Sequence, residues 1–201
     1  MGCKCKSKVK VYFAGEEGVK IPTKIDENAG YDIYAFFEED YILIQPHETV
    51  MIPTGLYSAF SKDYVAILKE RGSTGTKGMC QKSGVIDSGY RGAWMVPITN
   101  LNTKPLYISK LTKEELIEKF KNKYMNNLTE DDKTEYIIDI SIEVKRLTSL
   151  LDNVIIYPYS KAIAQAIFVP VPKLETETIS IEELKAIPSV RGEGKLGSSN
   201  K

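Results

Sequence analysis

The chain has 201 residues, 42% of them hydrophobic and 27% charged, enough for one domain with a sizeable core plus a small appendage. Lysine plus arginine and aspartate plus glutamate number 27 each, so no global basic field exists to hold a nucleic-acid backbone, and a polyanion must be met by a local cluster. No apolar run is long enough to cross a bilayer; three cysteines, two of them in Cys3-Lys4-Cys5, make by themselves neither a disulfide framework nor a four-ligand zinc site, and one histidine excludes His-rich metal sites.

The first residues, Met1 to Ser7, lack the apolar stretch of a secretory signal, and the cysteine usage fits a reduced cytoplasm. From Val9 to about Thr54 the pattern is strand-like. Val9 to Phe13, Tyr31 to Ala35, Tyr41 to Ile44 and Thr49 to Ile52 are short runs rich in β-branched and aromatic residues, separated by Pro22, Gly30, Pro46 and Pro53. His47 follows Pro46 in a turn and is read as structural, which directs hydrolytic chemistry toward carboxylates. Strands recur at Tyr64 to Leu68 and Ala93 to Asn100 with no helix between them, arguing for an antiparallel sandwich or barrel. Composition changes near Ser109. The capping box Thr112 to Glu115, followed by Leu116, Ile117, Phe120 and Tyr124, predicts a helix from about Lys113 to Met125. Thr134 to Leu151 fits both periods, and its length favours a second helix. The β pattern resumes at Val154 to Tyr157 and Ala162 to Val171. The organisation is therefore a β core over 1–109 and 153–187, an inserted lobe over 110–152 and a mobile arm over 188–201.

Five segments carry chemistry. Gly84 to Gly92, reading Gly-Val-Ile-Asp-Ser-Gly-Tyr-Arg-Gly, places Asp87 in a glycine-framed hairpin turn. Val85 and Ile86 are expected as a buried strand end, with Trp94 to Ile98 as the returning strand. Arg71 to Gly78 collects backbone amides, hydroxyls and the cations Arg71 and Lys77, a mix that suits a phosphate cradle, although a plain loop fits it as well. Its spacing is not that of a Walker A loop. Asp32 alternates in the strand entered through Gly30, where a solvent-facing side chain is the commoner outcome. Gln165 is a single amide in an apolar strand, which requires a partner, a ligand or a neighbouring backbone group. Gly192-x-Gly194-x-x-Gly197 matches a dinucleotide fingerprint by letter, but too few residues follow for the helix that motif needs. A glycine-rich arm that gains order on a phosphate chain is the alternative.

In order and spacing, Ala29 to Ala35, Arg71 to Gly78, Gly84 to Gly92, Ile163 to Gln165 and Arg191 to Ser199 resemble the five motifs of the homotrimeric dUTP diphosphatase family. The resemblance implies an all-β, jelly-roll-like subunit in a threefold trimer, with each site drawn from three chains. It implies hydrolysis of dUTP to dUMP and pyrophosphate, with Mg²⁺ held by the substrate's phosphates. Asp87 is then the general base, and Tyr90 stacks on the deoxyribose and excludes a 2′-hydroxyl. Arg71, Gly72, Ser73, Gln165, Arg191, Gly197, Ser198 and Ser199 are implied to meet the triphosphate, and Asp32 the water shell of the metal. Backbone groups of Gly84, Val85 and Ile86 are implied to read uracil, together with Gln81 where the family commonly has asparagine.

The chain departs from the family pattern at Gly72, where serine commonly follows the arginine, and at Leu196, where an aromatic residue commonly covers the base. The long insertion is similar to those of some bacteriophage and prophage enzymes, which implies a protein partner for residues 110–152 or a plain surface lobe. Two other readings compete: a nucleotide-binding regulatory module acting through the lobe, and a dCTP deaminase-like enzyme on the same fold, whose glutamate motif is not apparent.

Overall fold

The computed structural model describes residues 9–126, 145–146 and 148–189. Two compact units are present, Met1–Val171 and Pro172–Lys201. The first contains β1 (Val11–Gly15), β2 (Tyr31–Ile33), β3 (Tyr41–Ile44), β4 (Thr49–Pro53), β5 (Leu56–Phe60), β6 (Tyr64–Lys69), the single turn α1 (Gly72–Gly75), β7 (Met79–Gln81), β8 (Val85–Ile86), β9 (Met95–Asn100), β10 (Leu106–Ser109), α2 (Lys113–Asn126), β11 (Ile155–Pro158) and β12 (Ala164–Pro170). The second unit carries the short helix α3 (Ile181–Ala186), whose side chains are all exposed.

Short strands separated by turn residues fold into small sheets rather than one closed barrel, a jelly-roll-like β architecture. The sheets run β1-β5, β11-β10-β3, β2-β12-β6-β8 and β4-β9-β7. Their inward faces enclose one core, in which Trp94, Ile33, Ile44 and Leu106 are fully buried. Trp94 is held at its backbone by Leu56 O (2.8 Å) and by the Thr54 hydroxyl, which donates to Trp94 O at 2.7 Å.

Among the described residues, the predicted antiparallel character holds at every strand pair but one. β10 and β11 are parallel, with Tyr107 opposite Ile156. Parallel neighbours cannot be joined by a tight turn, and the connection from Ser109 to Ile155 is long and carries α2. α2 is seated by fully buried Leu116, by Phe120 edge-on to Tyr41 at 6.0 Å, and by ion pairs of Lys119 with Asp40 and Lys113 with Asp152. Most of the Thr134 to Leu151 segment lies outside the described residues, and residues 148–152 are helical.

The predicted hairpin is corrected. β8 pairs with β6, whereas β9 pairs with β4 and β7, so Gly84 to Trp94 is a corner between two sheets. As a two-residue edge strand β8 leaves Val85 65% exposed, against the expected burial.

Candidate active site

Two cavities collect the predicted residues. The first, of about 740 Å³, is built on the β2-β12-β6-β8 sheet. Antiparallel register sets Gln165 of β12 opposite Asp32 of β2 and Lys69 of β6, so the amide, the carboxylate and the segment leaving β6 meet at one end. That segment delivers Arg71. Its guanidinium grips Asp32 with both prongs, Nε to Oδ1 at 2.9 Å and Nη2 to Oδ2 at 3.2 Å. Both side chains are about one-third exposed, so solvent screens the pair, which serves to aim the guanidinium more than to stabilise the fold.

The turn α1 is pinned from below. Thr74, fully buried, accepts the Arg71 N–H and donates to Arg71 O, each at 2.9 Å. Arg71, Gly72 and Ser73 consequently line the cavity, and Nη1 of Arg71 reaches the Ser73 hydroxyl at 3.4 Å. Gln165 donates to Glu70 O at 2.8 Å, locking the stem of the same segment. Gln165 thus has a backbone partner and also faces the cavity. Lys77, counted with Arg71 as the second cation, does not line the cavity. Lys24 does, together with Thr23, Asn28 and Glu27 of the preceding loop. No local pattern marks Lys24, because the Asn28 N–H to Ile25 O and Asp32 N–H to Thr23 O bonds that fold this loop over the sheet are backbone bonds.

The second cavity, of about 500 Å³, is lined by Ser83 to Asp87 and Tyr90 with Met51, Met95 and Pro97. Gly84 enters it at φ +119°, a conformation that side-chain-bearing residues rarely adopt, while its carbonyl accepts the Leu68 N–H at 2.7 Å. The turn closes from Tyr90 N to Asp87 O at 3.0 Å and is braced by Arg91, whose Nη1 donates to Ser88 O (2.6 Å) and Tyr90 O (2.9 Å). Asp87 stands exposed at the rim. The Tyr90 hydroxyl donates to Ala93 O at 3.0 Å, and its ring folds so tightly against Gly92 that an added Cβ would lie 2.7 Å from Cζ. Gln81 does not line the cavity. It is 8% exposed and donates to Lys82 O (2.6 Å) and Ser83 O (2.9 Å), holding the strained loop from beneath. Arg91 was missed because a brace is visible only once the turn exists.

Arg191, Leu196, Gly197, Ser198 and Ser199 lie outside the described residues. Among the described residues no three or more His, Cys, Asp or Glu gather into a metal cluster, and no helix is long and apolar enough to cross a membrane. The donor set around the first cavity, with Asp32 and Glu27 its carboxylates, therefore fits a divalent ion that arrives with its own waters and phosphate ligands, not one caged by the chain.

A family model described as dUTPase matches residues 16–113. The chain is 31% identical over 102 residues to the deoxyuridine 5′-triphosphate nucleotidohydrolase of Finegoldia magna, a match covering 49% of this chain and 69% of that protein. It is 33% identical over 90 residues to the Pol polyprotein of caprine arthritis encephalitis virus, covering 45% of this chain and 8% of that much longer protein. In structure it is similar to the dUTPase of Staphylococcus bacteriophage 80alpha in complex with dUpNHpp, with TM-score 0.60, 21% identity, and coverage of 98% of this chain and 100% of that one.

Proposed function

The chain belongs to the dUTPase family, and from that premise we propose that it hydrolyses dUTP to dUMP and pyrophosphate. The observation that carries the reading is the braced turn that presents Asp87 at a cavity rim beside the folded ring of Tyr90. Asp87 takes a proton from a held water, the water oxygen bonds to the α-phosphorus, and the bond from that phosphorus to the α,β-bridging oxygen breaks to release pyrophosphate. Tyr90 walls off a 2′-hydroxyl. The backbone at Gly84, Val85 and Ile86 reads uracil, and Gln81 fixes the shape of that backbone.

Arg71, Gly72, Ser73 and Gln165 hold the outer phosphates, joined by Arg191, Gly197, Ser198 and Ser199 of the arm. On binding, Arg71 exchanges the Asp32 carboxylate for a phosphate oxygen, freeing Asp32 toward the hydration shell of the cation. Mg²⁺ carried by the triphosphate supplies neutralisation of the charge that builds on the phosphate oxygens. The separation of the base-and-sugar cavity from the phosphate cavity on one chain supports a homotrimer in which neighbours supply opposite ends of each site.

Pyrophosphate release from dUTP, dCTP, dTTP and UTP tests the reading. We expect dUTP alone to be turned over and Asp87→Asn to lower kcat by at least about a thousandfold. Turnover unaffected by Asp87→Asn would reject it. A second reading, in which the inserted lobe recognises a protein, is favoured by a cavity of about 420 Å³ at its base lined mainly by Tyr107, Phe120, Leu150 and Leu151. Replacing residues 112–151 with a flexible linker should abolish capture of such a partner and spare hydrolysis.

A further inference from the structure

Lys24 has no place in the chemistry proposed above, yet it lines the first cavity together with Arg71, Ser73 and Gln165. It belongs to the loop from Thr23 to Gly30 that leads into β2, and that loop is fastened at both ends to residues assigned to the phosphate chain. At its start, Thr23 O accepts the Asp32 N–H at 3.2 Å, so Lys24 follows directly on a residue bonded to the backbone of the aspartate that Arg71 grips. At its end, Gly30 is buried and passes so close to Gln165 that an added Cβ would collide with Oε1 of the amide. Between these points the Asn28 N–H to Ile25 O bond, at 2.9 Å, turns the loop. The loop is therefore a fixed wall of the cavity.

Lys24 itself is half-buried. It also lines a smaller cavity, of about 220 Å³, bordered by Tyr31 and Phe168, and its Nζ lies 5.8 Å from the centroid of the Tyr31 ring, at the outer reach of cation–π attraction. A long cationic side chain set between aromatic surface and a polar cavity covers the first with its stem and serves the second with its charge.

The ammonium has three protons to donate. One goes to Asp26 O at 3.1 Å, and among the described residues no carboxylate forms an ion pair with it. The other cation that lines the cavity, Arg71, is already paired with Asp32. Arg71 must surrender that carboxylate before it meets an anion. Lys24 has donors to offer with no carboxylate to displace, which makes it the first cation a polyanion can engage there.

We propose that Lys24 is a substrate-binding residue, its ammonium bonding the nucleotide's phosphate chain in the first cavity and supplying a positive charge that the five family motifs do not contain. The inference rests on the dUTP diphosphatase reading and deepens it.

Lys24→Met and Lys24→Arg test it in the full chain. Methionine keeps an unbranched stem and removes the charge, whereas arginine keeps both charge and donors. Titration calorimetry with inorganic triphosphate and Mg²⁺ at low ionic strength should show Kd raised roughly five- to tenfold in Lys24→Met and within about twofold of wild type in Lys24→Arg. At roughly 0.5 M salt the gap between Lys24→Met and wild type should shrink to less than about twofold, because a half-exposed charge is screened. With dUTP, KM should rise in Lys24→Met by the low-salt factor while kcat stays within about threefold, the Asp87 turn being untouched. Unchanged triphosphate affinity in Lys24→Met would overturn the proposal. A loss that arginine fails to restore, or one indifferent to salt, would also overturn it, since each marks a lysine that only holds its own loop through Asp26 O. Wild-type protein that binds no triphosphate would overturn it too. Wild-type protein that binds triphosphate but leaves dUTP intact would overturn the hydrolase reading alone, and the calorimetric comparison would still decide the role of Lys24. Should Lys24→Met melt below the assay temperature, Lys24→Gln provides a second uncharged variant with the same expected outcome.

Discussion

Thr74 shows how one side chain shapes the cavity around Arg71 without lining it. Its buried hydroxyl both accepts from and donates to the backbone of Arg71. Thr74→Val keeps the volume and leaves the Arg71 N–H unpaired, so chemical denaturation should show a loss of about 1–3 kcal/mol and KM for dUTP should rise. Gly84→Ala should cost about 1–3 kcal/mol by the same measurement, because its φ is +119° and a Cβ would meet Leu68 O at 3.0 Å. Tyr157 adds a pH dependence. Its ionisation is raised in the fold, chiefly by burial, so the neutral form stabilises the native state fully below the unfolded value near 10. That stability drains away as pH climbs through the higher folded value, and an alkaline unfolding titration of Tyr157→Phe should lose less stability above pH 10 than wild type. The Asp87 turn was legible because serine and glycine mark a turn locally. Lys24 and the Gln81 brace were not, since each depends on where the fold puts a backbone carbonyl or a cavity wall.

At the level of elements, Tyr41–Ile44 was readable to the residue, and α2 nearly so, because a capping box and 3.6-residue spacing agree there. Leu56–Phe60 and Leu106–Ser109 were not recognised. Leu56–Phe60 carries no β-branched residue, and Leu106–Ser109 lies between Pro105 and the helix signals of the lobe. The corner at Gly84 to Trp94 was mistaken for a hairpin because glycine-rich turns look alike in sequence whether the next strand pairs beside the last or in another sheet. The parallel β10-β11 pair was hidden as well, being a relation between strands and not a property of either. α2 should be separable from catalysis. Leu116→Ala should destabilise the protein by about 2–4 kcal/mol and speed amide exchange along α2, with kcat for dUTP within twofold of wild type.

At the scale of the whole molecule, one chain presents the Asp32–Arg71–Gln165 cluster and the Asp87–Tyr90 turn in two different cavities. If neighbours complete each other's sites, Asp87→Asn and Arg71→Ala proteins, each inactive alone, should regain about a quarter of wild-type activity when unfolded together and refolded at equal amounts. Absence of recovery would place both ends of a site on one chain. The strand order has a consequence of another kind. β12 lies between β2 and β6, so the sheet that carries Asp32 and Gln165 is closed by the last of the described strands to leave the ribosome. At roughly 5–20 residues per second, the earlier strands wait several seconds with open edges while the long crossover is being translated. Such edges are templates for pairing with another chain. Slower elongation through the lobe should therefore lower the soluble yield of newly synthesised protein without altering the thermal stability of the molecules that escape.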